Sequence, residues 1–152
     1  MRLALQQAEK ADMRGEVPVG AVLTDNKGNI ISMTGNGPIS LNDPTAHAEI
    51  LVIREGARLL RNYRLTGSTL YVTVEPCSMC AGAIVHARIK RLVFGVNDPK
   101  SGACGSLYNI VQDPRLNHQV EVTQGVLLKD CKKIIQKFFK KKRIKGEVPK
   151  WS

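Results

Sequence analysis

Apolar residues recur along this chain at two spacings, the three-to-four step of a helix and the short unbroken run of a buried strand. Ala4, Ala8 and Ala11, with Leu5 beside them, follow the helical step and predict a helix that ends near Gly15. Val19-Gly20-Ala21-Val22-Leu23 is a strand-like run, and Ile30-Ile31-Ser32-Met33 returns beside it across the turn Asp25-Asn26-Lys27-Gly28. Gly37-Pro38 and Asp43-Pro44 punctuate a loop over 36–44. Thr45 is placed to cap a helix over about 46–60, with Ile50, Ile53, Ala57 and Leu60 on one face.

Further along, Thr69-Leu70-Tyr71-Val72-Thr73-Val74 is the most strand-like segment of the chain. Pro76 suits the first turn of a helix reaching about 87. A strand over 91–95, a glycine-containing loop over 97–105, a short helix over 106–111 and a strand over 120–123 follow. The last helix is expected from 128 to about 143, with Ile134, Ile135, Phe138 and Phe139 on its apolar face and Lys133, Lys137, Lys140 and Lys141 over much of the rest. Strands alternating with helices predict an α/β fold, a three-layer α/β/α sandwich around a mixed five-stranded sheet. The hairpin supplies antiparallel pairing, and the later strand-helix-strand units favour parallel pairing.

The 152 residues make one domain's worth of chain, enough to bury a core without disulfide staples. No apolar run approaches the ~20 residues that a membrane-spanning helix needs. The start, Met1-Arg2-Leu3-Ala4-Leu5-Gln6-Gln7, carries neither the apolar core nor the cleavage site of a signal peptide, so a cytoplasmic protein without membrane contact is expected. Charge changes the picture more. The net charge is +10, yet residues 1–128 hold 13 basic and 11 acidic side chains, whereas 129–152 hold 10 basic and two acidic. Such a concentrated positive segment attracts phosphate chains, or else serves as a solvated tail; charge alone leaves both open.

Four cysteines, at 77, 80, 104 and 131, are too few for a disulfide framework. Two of them form Cys77-Ser78-Met79-Cys80 behind Pro76, a spacing that reads as metal binding or thiol redox chemistry. Three positions apart at a helix start, the two sulfurs share one side, and the free backbone N–H groups there favour thiolate. His47-Ala48-Glu49 opens the preceding helix. His47, Cys77 and Cys80 together make a three-ligand set for tetrahedral zinc that leaves a fourth position for water, whereas closed structural sites use four protein ligands. Glu49, beside the metal and not on it, is the candidate proton carrier. His-x-Glu followed by Pro-Cys-x-x-Cys is the known signature of zinc nucleobase deaminases, the class that includes the tRNA adenosine deaminases.

With these residues in view, the chain resembles the bacterial tRNA-specific adenosine deaminase family, within the cytidine deaminase-like superfamily. The likeness runs from Glu16-Val17-Pro18-Val19-Gly20-Ala21-Val22 through Asp43-Pro44-Thr45-Ala46-His47-Ala48-Glu49-Ile50, Asn62-Tyr63-Arg64-Leu65 and Leu70-Tyr71-Val72-Thr73. It continues through Glu75-Pro76-Cys77-Ser78-Met79-Cys80-Ala81-Gly82-Ala83, Val93-Phe94-Gly95, Gly102-Ala103-Cys104-Gly105-Ser106 and Asn117-His118. The resemblance implies a single deaminase domain over 1–152, basic from about 128, with one zinc ion per subunit. It implies hydrolysis of the wobble adenosine to inosine in a tRNA anticodon stem-loop, chiefly that of an arginine tRNA, by a homodimer with active sites near the subunit interface.

By the same resemblance Asn36 hydrogen-bonds the flipped-out base, and Asp98, Lys100, Asn117 and Phe139 contact the anticodon loop. Family members carry several residues before the segment that begins here at Met1, so a short first helix is expected. Cys104 stands where the family has alanine or another small residue, and is read as a small hydrophobe. Two rival readings remain at this point. One is a deaminase of a free base or nucleoside of the guanine or cytosine type, and the other a non-catalytic zinc module that binds RNA.

Overall fold

The computed structural model describes residues 1–147; the end of the basic segment, 148–152, lies outside them. In chain order the elements are α1 (Arg2–Met13), β1 (Gly20–Thr24), β2 (Ile30–Gly35), α2 (Ala48–Leu60), β3 (Thr69–Val74), α3 (Ser78–His86), β4 (Arg91–Val96), β5 (Glu121–Gln124) and α4 (Leu128–Ile144). The strands form one mixed sheet in the order β2-β1-β3-β4-β5. β1 is antiparallel to β2 and to β3, while β3, β4 and β5 run parallel, as the sequence pattern predicts.

Alternation along the strands sorts side chains onto two faces. Ala21 and Leu23 of β1, Leu70 and Val72 of β3, and Leu92 and Phe94 of β4 are register partners and fully buried. Ala48 and Val52 of α2 and Ala81, Ile84 and Val85 of α3 close over them. Each large side chain buried there contributes about 1.5–3 kcal/mol relative to exposure. On the other face the contact with α1 is built from small residues. Gly20 and Gly35 are register partners, and a Cβ on Gly20 would collide with the Ala4 carbonyl oxygen of α1. One on Gly35 would lie 2.5 Å from the Gln7 carbonyl oxygen. The alanine step of α1 is therefore a small-on-small contact surface, with Ala4, Ala8 and Ala11 fully buried. Alongside α1, α4 sets Cys131 against Gly95 of β4.

Two expected features form differently. α2 begins at Ala48, not near 46, with His47 in the capping position. Thr45 lies two residues short of that position, its hydroxyl and its N–H both donating to Asp43 Oδ1, at 2.7 and 2.8 Å, in a turn of the preceding loop. The short helix expected over 106–111 is absent. Ser106 N–H and Oγ donate instead to Glu75 Oε1 (3.2 and 3.0 Å), Leu107 N–H to the Gly102 carbonyl (2.9 Å), and Ile110 N–H to the Ala103 carbonyl (2.9 Å). In a helix the Ile110 N–H would bond the Ser106 carbonyl; it bonds that of Ala103 instead, so the i to i−4 ladder does not form. Cys104 is buried, as a small hydrophobe should be. Among the described residues no helix is long and apolar enough to cross a membrane.

This topology decides where a site can lie. The parallel strands β3 and β4 both end at the same rim, and α3 begins directly after β3. Crevices at the carboxyl ends of parallel strands are where α/β sheets bind ligands.

Candidate metal centre and active site

His47 and Cys77 occupy the capping positions of α2 and α3, both with extended backbone, and Cys80 lies one turn into α3. Two helix N-termini therefore point into one place, where their exposed N–H groups and dipoles favour negative ligands. His47 Nδ1 lies 3.6 Å from Cys77 Sγ and 3.5 Å from Cys80 Sγ. A tetrahedral zinc, with Zn–N about 2.0–2.1 Å and Zn–S about 2.3 Å, sets nitrogen and sulfur about 3.5–3.6 Å apart. The ligand atoms of the three residues all fall within 4.8 Å of one another, and among the described residues this is the only such group. The donor set and its spacing fit zinc, with Nδ1 as the coordinating nitrogen.

The electrostatics of the metal-free cluster agree. Cys77 is pulled down to about 4 by hydrogen bonds from the Cys80 thiol and the His47 ring, against the opposing effect of burial. Cys80 is pushed far above the ordinary thiol range because it donates to Cys77 and is itself buried. The His47 ring is raised by its bond to Cys77. The pair thus holds one sulfur as thiolate and the other as thiol, and a divalent cation would bind both as thiolates. Cys104 lies outside the cluster, and its thiol is raised by burial.

Glu49 sits in the first turn of α2, fully enclosed yet lining the pocket that opens on the cluster. Burial raises its carboxyl above the usual glutamate range. A raised carboxyl suits a group that must hold, and then give up, the proton it takes. Asn36 lines the same pocket and has a divided role. Its Oδ1 accepts from the Ala48 N–H at 2.8 Å, satisfying the first free donor of α2. No acceptor among the described residues meets its Nδ2, and no buried side-chain nitrogen lacks a partner, so the amide N–H₂ opens on the pocket.

Asp98 lines the pocket from the loop after β4, and its carboxylate is spent on that turn: Lys100 N–H (3.0 Å), Ser101 N–H (3.2 Å) and Ser101 Oγ (2.6 Å) all donate to it. Lys100 is exposed on the same turn. Phe139 is half-buried on α4, edge-on to Phe138 at 5.4 Å between ring centroids. Lys141, just beyond it, reaches Asp12 at 3.8 Å, and Arg14 Nη2 donates to the Asn36 carbonyl at 3.2 Å, so this part of α4 lies at the pocket's end of the molecule. Asn117 is not brought there. It is exposed beside His118, whose Nε2 meets the Ile89 carbonyl (2.7 Å) at the entry of β4, the opposite end of that strand. Sequence reasoning missed two polar pocket residues, Glu75 and Ser101, and the apolar Val19 and Val74. A glutamate closing an apolar strand was the available sign for the first; nothing marked the second.

The family model for the cytidine and deoxycytidylate deaminase zinc-binding region matches residues 1–96 of the chain. The tRNA-specific adenosine deaminase of Haemophilus influenzae is 54% identical over 150 residues, covering 99% of this chain and 87% of that protein. That of Bacillus subtilis is 48% identical over 148 residues, covering 97% and 91%. A solved structure from work on A-to-I editing by tRNA:A34 deaminases at the wobble position of transfer RNA is similar at a TM-score of 0.85 and 47% identity, over 88% of this chain and 96% of that one.

Proposed function

The chain belongs to the cytidine and deoxycytidylate deaminase zinc-binding family and, within it, to the tRNA-specific adenosine deaminases, and on that premise we propose that it converts the wobble adenosine of a tRNA anticodon to inosine. The observation that carries the chemistry is the convergence of His47, Cys77 and Cys80 with the enclosed Glu49 at one pocket. A zinc ion held by the three ligands supplies a water acidified to a pKa near ~7. With that water in place, Glu49 would take one of its protons as the oxygen adds to the amine-bearing ring carbon, deliver it to the adjacent ring nitrogen, and carry the remaining hydroxyl proton to the amine, whose bond to carbon breaks as ammonia leaves. Asn36 holds the base through its Nδ2, with its Oδ1 anchored by Ala48 so that the amide is fixed in one orientation. The products are inosine and ammonia.

Around the pocket, Asp98 shapes the turn that presents Lys100 toward the phosphate backbone, and Phe139 packs against a splayed nucleotide. The contact of Asn117 rests on the family resemblance alone. The basic face of α4 adds sequence-independent attraction for the RNA strand. An arginine tRNA is the expected substrate, and a homodimer the expected assembly. Exposed Leu41, Leu59 and Leu60 offer apolar surface for that self-association. We read 1–152 as one deaminase domain working in the cytoplasm, in keeping with four free cysteines.

The test offers the purified protein an anticodon stem-loop carrying adenosine at the wobble position and, separately, free adenosine, cytidine and guanine. Inosine from the stem-loop alone is expected. Turnover of a free base or nucleoside without turnover of the stem-loop would overturn the assignment in favour of a small-molecule deaminase, and zinc-loaded protein that binds the stem-loop without editing it would favour a binding module.

A further inference from the structure

We propose that Glu75 is a positioning residue that holds the 97–106 loop as a wall of the substrate pocket and so sets the affinity for the RNA strand. The inference rests on the tRNA-deaminase reading above. Glu75 follows the last residue of β3 and is 3% exposed. Every side-chain hydrogen bond it receives comes from the loop: Asp98 N–H donates to Oε2 at 3.2 Å, and Ser106 N–H and Oγ donate to Oε1 at 3.2 and 3.0 Å. One carboxylate thus closes the loop at both ends.

The middle of the loop is pressed onto the same group. A Cβ on Gly102 would collide with Glu75 Oε2 and lie 2.5 Å from the Asp98 carbonyl oxygen, so only glycine fits there. Gly102 N–H donates to that Asp98 carbonyl at 2.8 Å, and Ala103 N–H to the Pro76 carbonyl at 2.8 Å. Gly102 also forms an isolated bridge with Cys77, itself a metal ligand. The loop that carries Asp98 and Lys100 is therefore referenced to the backbone of the metal-bearing turn, and Glu75 is the side chain that joins them. Its carboxylate also lines the pocket, but both its oxygens face loop donors, which leaves proton transfer to Glu49.

A glutamine at this position keeps the volume and one acceptor, yet its N–H₂ must face either the Asp98 N–H or the Ser106 N–H, orphaning one backbone donor. The loop then spends part of its time away from the binding-competent arrangement, and apparent affinity falls by the competent fraction.

The experiment measures zinc content, melting, and KM and kcat on the anticodon stem-loop for wild type, Glu75→Gln, Ser106→Ala, Lys100→Ala and the Glu75→Gln/Lys100→Ala double variant. Glu75→Gln is expected to keep one zinc per chain and to hold kcat within about threefold while KM rises about tenfold, the size of one orphaned buried donor. Ser106→Ala, at an exposed position, should raise KM by about threefold and stands in as the test if Glu75→Gln does not fold. In the Lys100→Ala background, Glu75→Gln should raise KM by much less, because the contact it positions is already gone. Unmoved KM in either folded variant, a full effect in the Lys100→Ala background, or loss of zinc with kcat would overturn the inference. Wild type that leaves the stem-loop unedited would instead bring down the substrate reading, and this inference with it.

Discussion

Asn36 does two jobs with one amide, and Asn36→Ala separates them. Its Oδ1 accepts the Ala48 N–H at 2.8 Å, so truncation leaves a buried helix donor without its partner. A lost cap or an orphaned donor costs about 1–2 kcal/mol. For a chain of this length that lowers the melting temperature by about 2–8 °C. Set against a typical stability of about 5–15 kcal/mol, the variant is still more than about 99% folded at 25 °C. Any loss of activity at that temperature is therefore not unfolding. The second job is the Nδ2 donor facing the pocket. Where a site is built to hydrogen-bond a base, losing that bond takes about 1–3 kcal/mol from the transition state, or about 5- to 150-fold in kcat/KM. The assay pairs a thermal melt with inosine formation from the stem-loop and a zinc determination. Zinc should stay at one per chain, since His47, Cys77 and Cys80 are untouched. A variant that melts lower by the expected amount but keeps kcat/KM within about twofold would refute the reasoning, leaving Asn36 as a helix cap and nothing more.

Three further outcomes are expected. Glu49→Gln should retain zinc and stem-loop binding while kcat falls by about 10²–10⁴, the usual worth of a general acid–base group; undiminished inosine formation would remove Glu49 from the proton transfers. In protein stripped of metal, Cys77 should alkylate with a midpoint near pH 4, the thiolate present above that pH and lost as the pH falls through it, and added zinc should protect it. A midpoint in the ordinary thiol range, about 8.5, contradicts the hydrogen bonds assigned to its sulfur. Ending the chain after Phe139 should flatten the dependence of log Kd on log salt by about one unit for each phosphate contact removed, whereas an unchanged slope means the tail is only solvated.

The parts of this site that were legible in the sequence are those whose partners lie close along the chain. Cys77 and Cys80 share one turn, His47 and Glu49 share another, and a helix start was visible behind Pro76. Long-range polar contacts were not legible. Asn36 reaches Ala48 across the whole 37–46 loop, and Glu75 draws its donors from 98 and 106. The helix expected over 106–111 failed for the same reason, because the Ile110 N–H meets the Ala103 carbonyl, outside that segment. Thr45 failed as a cap because the turn with Asp43 carries the loop on through it and α2 starts only at Ala48. Periodicity reports which residues face the core; it carries no information about which buried acceptor a loop donor will meet.

The same contrast explains how the molecule divides its tasks. The metal ligands sit on helix starts packed against the sheet, where their spacing is set by the regular geometry of α2 and α3. Two loops beside the pocket are each tied down by one buried carboxylate. Glu75 holds 97–106, and Glu16, 1% exposed, accepts from Ser40 N–H and Oγ at 2.7 and 2.8 Å and from Ile39 N–H at 3.3 Å in the loop between Asn36 and His47. Neither carboxylate belongs to the ligand group, so each ties its loop without competing for the metal. The metal ligands thus take their spacing from the helix starts, while the loops beside them are held by single buried carboxylates.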